Sequence, residues 1–500
     1  MPFNSYSYLL LAAAAVATFW ALPVSFRRPY VVVLSFLFYA SWHVQYALLP
    51  VVVGAGAYVG VRLILARPGG DGGANSPPWG DGGANSPPNR ARTWARWGIG
   101  FVLALLAFFK YRQFFLENLS ALLSLARGSP IQAAAAVALP LGISFYSFVA
   151  IGALIDARQK RVTKLSFVDM YLLLAFWPSV ISGPIVRVRE LLPQLGFSKP
   201  FESRLLMAGM DRLVWGLCQK SVIASSLAAW VDEGFAAKAS SINSSLDNWA
   251  LAVAYSAQIY FDFAAYTNMA IGSALLLGVR LPENFRFPYH AASPADFWVR
   301  WHMSLSRWIR DYLFFPINSR FKGAPRPLYA SLLGIMVLVG LWHGAGWGFV
   351  LWGLLHGGYL VLHRMWESAA ERRPPGPVAA RLVGVGIRIA TLIAVIVAWV
   401  PFRATSIDQA WTMLGSMFFG FRSGLSYSIN FYIVTAFVVL FCVVEPALIG
   451  RLAKLDKRVE ESRAARAVNL LLARPLLYAF GLLLFMIFDD RDSPFIYFQF

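Results

Sequence analysis

The sequence predicts an all-α polytopic membrane protein, and three observations support that prediction. Hydrophobic residues make up 58% of the 500 residues, and the mean hydropathy is +0.57. Only 14% of the residues are charged, whereas soluble proteins have about a quarter. The 44 Lys and Arg exceed the 25 Asp and Glu, giving a net charge of +19, as expected if basic residues collect in cytoplasmic loops. A cytosolic enzyme is excluded, and the apolar runs are too long for a basic nucleic-acid-binding protein.

Apolar stretches of the length that a bilayer requires recur along the whole chain. A hydrocarbon core needs about 20 apolar residues per helix. The length of these stretches and their lack of sustained alternation favour helices over strands. The first stretch has no positive segment before it and no small-residue cleavage site after it, so it is interpreted as a retained span. The predicted spans are 7–25, 29–45, 47–66, 96–112, 131–155, 168–186, 206–231, 247–278, 327–350, 350–366, 382–402, 427–449 and 467–488.

One segment has a different composition from the rest of the chain. Within residues 67–92, which are rich in Gly, Pro and Ser, the sequence DGGANSPP occurs at 71–78 and again at 81–88. Such a composition cannot bury enough apolar surface to offset the entropy of ordering. The segment is predicted to be a flexible, duplicated loop within a single membrane domain, 1–500, whose motif-bearing catalytic core spans 139–366.

Two histidines lie inside apolar surroundings in the C-terminal half. His343 follows the apolar residues 334–342 and precedes the Gly-rich residues 344–348. His302 lies in FWVRWHMSLSRWIRDYLFF, predicted as one aromatic-rich helix whose polar face carries Ser306 and Arg310 one and two turns later. Ionisable groups at membrane depth are costly and indicate a functional site. The alternatives are a buried histidine that makes one structural hydrogen bond, and an interfacial helix anchored by its Trp and Arg side chains.

Two further polar residues have open interpretations. His356 follows His343 by 13 residues, about 220° around an ideal helix. The two histidines cannot face one site unless the glycines break the helix, so His356 is interpreted as a packing or supporting residue. Asp262, within YFDF, either pairs with a Lys or Arg for structure or belongs to a site. His, Cys and carboxylates show no metal-ligand spacing in the sequence.

Several motifs follow one another between residue 139 and the C-terminus. They are LPLGISFYSF (139–148), SGPIVRVRELLPQL (182–195), YFDFAAYTNMAIG (260–272), LPENFRFPY (281–289), FWVRWHMSLSRWIRDYLFFPI (297–317), LWHGAGWGFVLWGLLHG (341–357) and SPFIYFQF (493–500). In this order they resemble the membrane-bound O-acyltransferase (MBOAT) family, specifically its bacterial alginate O-acetylation (AlgI-like) branch. The resemblance implies a ring of about a dozen helices around a transmembrane tunnel.

The resemblance also implies an activity, a location and partners. The expected reaction moves an acetyl or other short acyl group from a cytoplasmic thioester donor, such as acetyl-CoA, across the membrane for O-acetylation of an exported polysaccharide. A multi-pass protein of the bacterial inner membrane is expected, in contact with lipid and with a periplasmic SGNH-type acetyltransferase or polysaccharide-modification complex. Neither a cofactor nor a nucleic acid is expected. The alternatives are D-alanyl or lipid O-acyl transfer within the same family, and a non-catalytic acyl or solute transporter.

The same resemblance assigns roles to residues of this chain. His343 falls on the family's invariant histidine and is expected to act as general base, since imidazole is the usual group for removing a hydroxyl proton. His302 falls on the second polar position and is expected to orient or polarise the reacting groups. No metal ligand is expected. The residues expected to bind substrate or the donor phosphates are Arg300, Arg307, Arg310, Asp262 and Asn284.

Deletion of Asp81–Pro88, one copy of the repeat, should leave acyl transfer intact, because a flexible loop has no fixed conformation to lose. The acyl content of the exported polymer, measured beside the full-length chain at equal protein level, checks this. Complete loss of acylation would contradict the interpretation of the loop.

Overall fold

Helices make up the regular secondary structure of the computed structural model, which describes residues 2–42, 44–66, 88–127, 138–236, 244–321, 324–372, 376–420, 424–488 and 495–496. Within those ranges no strand occurs. The predicted all-α class is therefore confirmed. The duplicated DGGANSPP segment lies outside the described residues up to its last residue, Pro88, which begins a helix.

One of two compact units comprises residues 11–202 and 274–281. Its non-helical segment 176–187 is buried throughout, although the sequence predicts a span over 168–186. Pro178 explains the difference, because a proline has no N–H to donate to the carbonyl oxygen four residues earlier and its ring clashes with that carbonyl. A buried non-helical segment needs other partners for its backbone polar groups. Ser35 provides one of them, since its Oγ accepts a hydrogen bond from the N–H of Trp177 at 3.2 Å. The helices that lie wholly or largely in this unit are α1 (Tyr6–Ala21), α2 (Val24–Ala40), α3 (Leu49–Leu65), α4 (Pro88–Leu106), α5 (Arg112–Arg127), α6 (Ile143–Arg158), α7 (Phe167–Ala175) and α8 (Val188–Leu191).

The second unit comprises residues 2–10, 203–273 and 282–500, and it contains both histidines singled out above. Its helices are α9 (Ser203–Cys218), α10 (Ser225–Gly234), α11 (Ser245–Leu276), α12 (Pro294–Arg300), α13 (Met303–Ile309), α14 (Phe315–Asn318), α15 (Pro325–His343), α16 (Trp347–Arg372), α17 (Pro377–Arg403), α18 (Ile407–Phe419), α19 (Ile429–Glu461), α20 (Arg463–Val468) and α21 (Arg474–Phe488). The last residues of α11 belong to the other unit.

Six helical segments among the described residues are long and apolar enough to cross a membrane. Helices that satisfy their own backbone hydrogen bonds are the form in which a single segment can cross a bilayer. The chain is therefore an all-α polytopic membrane protein. The segments are Val44–Leu65, Arg90–Ser124, Pro325–His343, Val378–Arg403, Ile429–Val459 and Ala464–Phe488.

The segment that carries His302 is two short helices, and the prediction of one continuous aromatic helix is wrong. Helix α12 ends at Arg300, α13 begins at Met303, and His302 between them adopts left-handed backbone with φ 42° and ψ 53°. The N–H of Met303 donates to the carbonyl oxygen of Asn284 at 2.8 Å, so a contact distant in sequence stabilises the break. His302 therefore does not share a helical face with Ser306.

Helices α15 and α16 form an antiparallel pair whose backbones approach closely at glycines. A Cβ on Gly340 would overlap the carbonyl oxygen of Phe349, and a Cβ on Gly353 would overlap that of Met336. A Cβ on Gly357 would lie 3.0 Å from the Cα of Leu333. Small residues permit such approach between membrane helices. The glycines around His343 therefore serve helix packing.

Gly353→Ala should lower the thermal stability of the purified protein, because the new methyl group would overlap the backbone of α15 and overpacking costs about 1–3 kcal/mol. Gly358→Ala on the same helix is the matched control, since a Cβ there meets nothing within 4 Å and alanine favours helix. Thermal unfolding in detergent measures both variants. Equal midpoints for the two would contradict the close backbone contact.

Candidate functional site

Asn284 holds His302 in place through a buried set of hydrogen bonds. Its Oδ1 accepts from His302 Nδ1 at 3.0 Å, from the hydroxyl of Ser304 at 2.9 Å and from the N–H of Ser304 at 3.2 Å. Its Nδ2 donates to the hydroxyl of Thr267 on α11 at 3.4 Å. Both Asn284 and His302 are fully buried. The amide therefore compensates the left-handed backbone at His302, a conformation that costs about 1–3 kcal/mol.

These contacts also determine the protonation of the His302 ring. Because the Asn284 oxygen can only accept, Nδ1 of His302 carries the hydrogen and Nε2 carries a lone pair. Burial lowers the pKa of His302, which lies outside the six candidate spans, to about 3. The imidazole is thus neutral near neutral pH, and its Nε2 can accept a hydrogen bond.

His343 is the last residue of α15, and its side chain is 4% exposed. Its ring centroid lies 4.7 Å from that of Trp342, which in turn lies 6.1 Å from that of His302. Trp352 and Phe402 contact the His343 ring at 5.1 and 5.4 Å. The structure thus brings both predicted histidines against one indole, inside a buried aromatic surrounding.

The glycines after His343 do break the helix. Gly344 has extended backbone, and α16 begins only at Trp347. His343 and His356 therefore do not lie on one continuous helix, and the angle that an ideal helix would place between them does not apply. The rings of both histidines contact Trp352, that of His356 at 4.7 Å. His356 is buried, as expected of a packing residue, yet it lies close to the candidate base.

Asp262 forms a buried ion pair with Lys220. Its Oδ1 lies 2.7 Å from the Lys220 Nζ, and each side chain is 2% exposed. Its Oδ2 accepts from the N–H of Ile496 at 2.8 Å, and the ring of Phe495 lies 4.7 Å from the Lys220 ammonium. Asp262 thus pairs with a lysine, as one of its two interpretations from the sequence expected. The same ion pair contacts Phe495 and Ile496 of the C-terminal motif SPFIYFQF. A substrate-binding role for Asp262 stays a prediction.

The three arginines of the RWH segment are engaged differently. Arg300 pairs with Asp296 at 2.9 Å, and Arg310 pairs with Asp311 at 2.9 Å. Arg307 donates to the carbonyl oxygens of Met303 and Glu283 at 3.3 and 3.4 Å. Since Glu283 precedes Asn284, Arg307 is the arginine next to the hydrogen bonds that hold His302. Donor binding by these side chains stays a prediction.

Sequence reasoning missed the groups that organise this site. Lys220 lies in the π-helical segment Gln219–Ala224, and nothing in its local sequence indicates the contact with Asp262. The tryptophans of LWHGAGWGFVLW offered a signal, because a run of indoles beside a buried histidine indicates an enclosed aromatic pocket. Both Trp342 and Trp352 contact His343.

Comparison with known proteins identifies the family. The sequence profile of the MBOAT, membrane-bound O-acyltransferase, family matches residues 28–397. A protein of Azotobacter vinelandii named "Probable alginate O-acetylase AlgI" is 32% identical over 421 residues, which cover 84% of this chain and 78% of that protein. The peptidoglycan O-acetyltransferase of Helicobacter pylori is 31% identical over 449 residues, covering 83% and 77% of the two chains.

A relative with a different acyl group matches less of the chain. The teichoic acid D-alanyltransferase of Bacillus subtilis is 30% identical over 237 residues, covering 46% of this chain and 60% of that protein. The family match extends over the segments that carry His302, His343 and Asn284. On these grounds the chain belongs to the membrane-bound O-acyltransferase family and is an acyltransferase.

Proposed function

We propose that this acyltransferase moves an acetyl or other short acyl group from a cytoplasmic thioester donor, such as acetyl-CoA, across the membrane for O-acetylation of an exported polysaccharide. The observation that carries the proposal is the placement of His302 and His343 against the ring of Trp342. A buried imidazole in a water-poor aromatic surrounding can remove a hydroxyl proton while water, which would hydrolyse the thioester, is kept away.

The relatives favour an acetyl group. The two named as O-acetyl-transferring proteins match more than three quarters of the chain, whereas the D-alanyltransferase matches 46%. D-alanyl transfer and lipid O-acyl transfer stay as alternatives within the family. The same similarity favours a polymer of the cell surface as acceptor, because alginate and peptidoglycan stand in the names of these relatives.

In the proposed reaction His343 acts as general base. It takes the proton of the acceptor hydroxyl as the oxygen attacks the thioester carbonyl, and it returns that proton to the sulfur when the C–S bond breaks. His302 offers Nε2 as a hydrogen-bond acceptor and orients an N–H or O–H group of the reacting pair. Such general acid–base assistance contributes about 10²–10⁴-fold to a rate.

The donor, the partner and the location follow from the same proposal. Arg307, beside the hydrogen bonds of Asn284, would attract the phosphates of a donor on the cytoplasmic side. A periplasmic SGNH-type transferase would receive the acyl group, and the protein would lie in the bacterial inner membrane. A non-catalytic transporter is distinguished by purified protein in liposomes with labelled acetyl-CoA. Solute flux without thioester consumption would favour the transporter.

His343→Ala should abolish O-acylation of the exported polymer, with a loss of at least about 100-fold from removal of the base. The polymer's acyl content is measured in cells whose polysaccharide locus is intact, at equal protein level. His290→Ala is the control, because His290 is an exposed histidine whose Nε2 lies 2.9 Å from the carbonyl oxygen of Cys442. Unchanged acylation in His343→Ala would exclude His343 as the base.

Asn284→Ala should lower acylation at least about tenfold, because it leaves buried donors of His302 and Ser304 without an acceptor at about 1–3 kcal/mol each. Asn284→Asp keeps an oxygen at the position of Oδ1 and should restore part of the activity. The same acyl assay, with thermal unfolding of each variant, measures this. Equal activity of the Ala and Asp variants would contradict the positioning role.

A further inference from the structure

Attack of a hydroxyl on a thioester places a negative charge on the carbonyl oxygen. In a dry site that charge requires hydrogen-bond donors already oriented toward it, and each such donor contributes about 10²–10³-fold to kcat. A base removes a proton but does not stabilise this oxygen. The donors must lie close to His343, because the carbonyl carbon reacts with the hydroxyl that His343 deprotonates.

Trp352 is a donor in that position. Its side chain is fully buried, and its ring lies 5.1 Å from that of His343 at an interplanar angle of 82°. Its Nε1 has no hydrogen-bond partner among the described residues. An indole N–H can only donate, and leaving it unpaired in the interior is destabilising. A buried donor without a partner calls for an explanation, and a catalytic role is one such explanation.

His356 lies beside Trp352 and can provide a second donor, because one of its two tautomers carries the hydrogen on Nε2. Its ring contacts that of Trp352 at 4.7 Å, it is 2% exposed, and its Nε2 also lacks a partner in the described part of the chain. A carbonyl oxygen has two lone pairs and accepts two hydrogen bonds. Two ring nitrogens without partners among the described residues thus lie on adjacent rings next to the candidate base, and together they can serve one oxygen atom.

We propose that the indole N–H of Trp352 and the imidazole N–H of His356 bind the carbonyl oxygen of the acyl thioester and stabilise its negative charge during transfer. This inference rests on the proposed role of His343. The new C–O bond forms as the hydroxyl proton passes to His343, and the C=O electron pair moves onto the bound oxygen. Return of that pair breaks the C–S bond, and the thiolate takes the proton from His343.

Neighbouring tryptophans offer a matched comparison. Trp399 is fully buried, contacts the Trp352 ring at 5.9 Å, and also has a buried Nε1 without a partner among the described residues. Within those residues its ring does not contact His343. Trp352→Phe and Trp399→Phe therefore remove the same indole N–H and the same ring volume from two packed neighbours, and only one of them lies against the base.

The test measures transfer of labelled acetyl groups from acetyl-CoA to the polymer in membrane vesicles of producing cells. Trp352→Phe should lower kcat about 100-fold to 1,000-fold with little change in KM, because the interaction strengthens in the transition state. Trp399→Phe should stay within a few-fold of the unmodified chain. His356→Gln, which keeps an N–H donor, should be more active than His356→Leu.

Four outcomes are informative. Equal losses in Trp352→Phe and Trp399→Phe would overturn the inference, because they would indicate packing alone. A full loss in His343→Ala together with an unaffected Trp352→Phe would overturn it and leave the base in place. Activity that persists in His343→Ala would exclude His343 as the base and would overturn the inference that rests on it. A loss of kcat in Trp352→Phe and His356→Leu but not in Trp399→Phe, at unchanged thermal stability, would support the carbonyl-binding site.

Discussion

The backbone contact between α15 and α16 is the constraint on which the site depends. Gly340 and Gly353 allow each helix to touch carbonyl oxygens of the other, and the break at Gly344 turns the chain back on itself. A membrane interior offers no hydrophobic force between helices, so close packing of small residues is what holds such a pair together. The pair places His343, Trp352 and His356 in one aromatic cluster.

Two compact sets of buried polar groups elsewhere in the same unit are satisfied. Asn284 accepts three hydrogen bonds and donates one, and the Lys220–Asp262 pair is closed by the N–H of Ile496. A charge removed from water is tolerated only with a close partner and further hydrogen bonds. Asp262 of α11 therefore holds backbone in position, and Asn284 holds both backbone and the His302 imidazole.

Much of the fold could be anticipated from composition and apolar run length, because the bilayer allows few alternatives. The helical class and the family resemblance are confirmed, and the roles of the two histidines stay predictions. Helix ends were less predictable. The chain leaves helix at Phe176 before Pro178, which local sequence explains. It also leaves helix at Trp301 and His302, where the break depends on Asn284, distant in sequence.

Local sequence was thus sufficient to predict the class of protein and to single out His343 and His302 as candidate site residues. Apolar length and residue type are properties of short segments. Which side chains meet was decided by packing. Lys220 contacts Asp262, which is 42 residues later in the sequence. Trp342 of α15 contacts His302, which lies between α12 and α13. Periodicity alone separated His343 from His356, and the folded chain brings both onto Trp352. The reason is physical: hydrogen bonds and ring contacts form between residues close in space, and the turn at Gly344 makes distant residues neighbours.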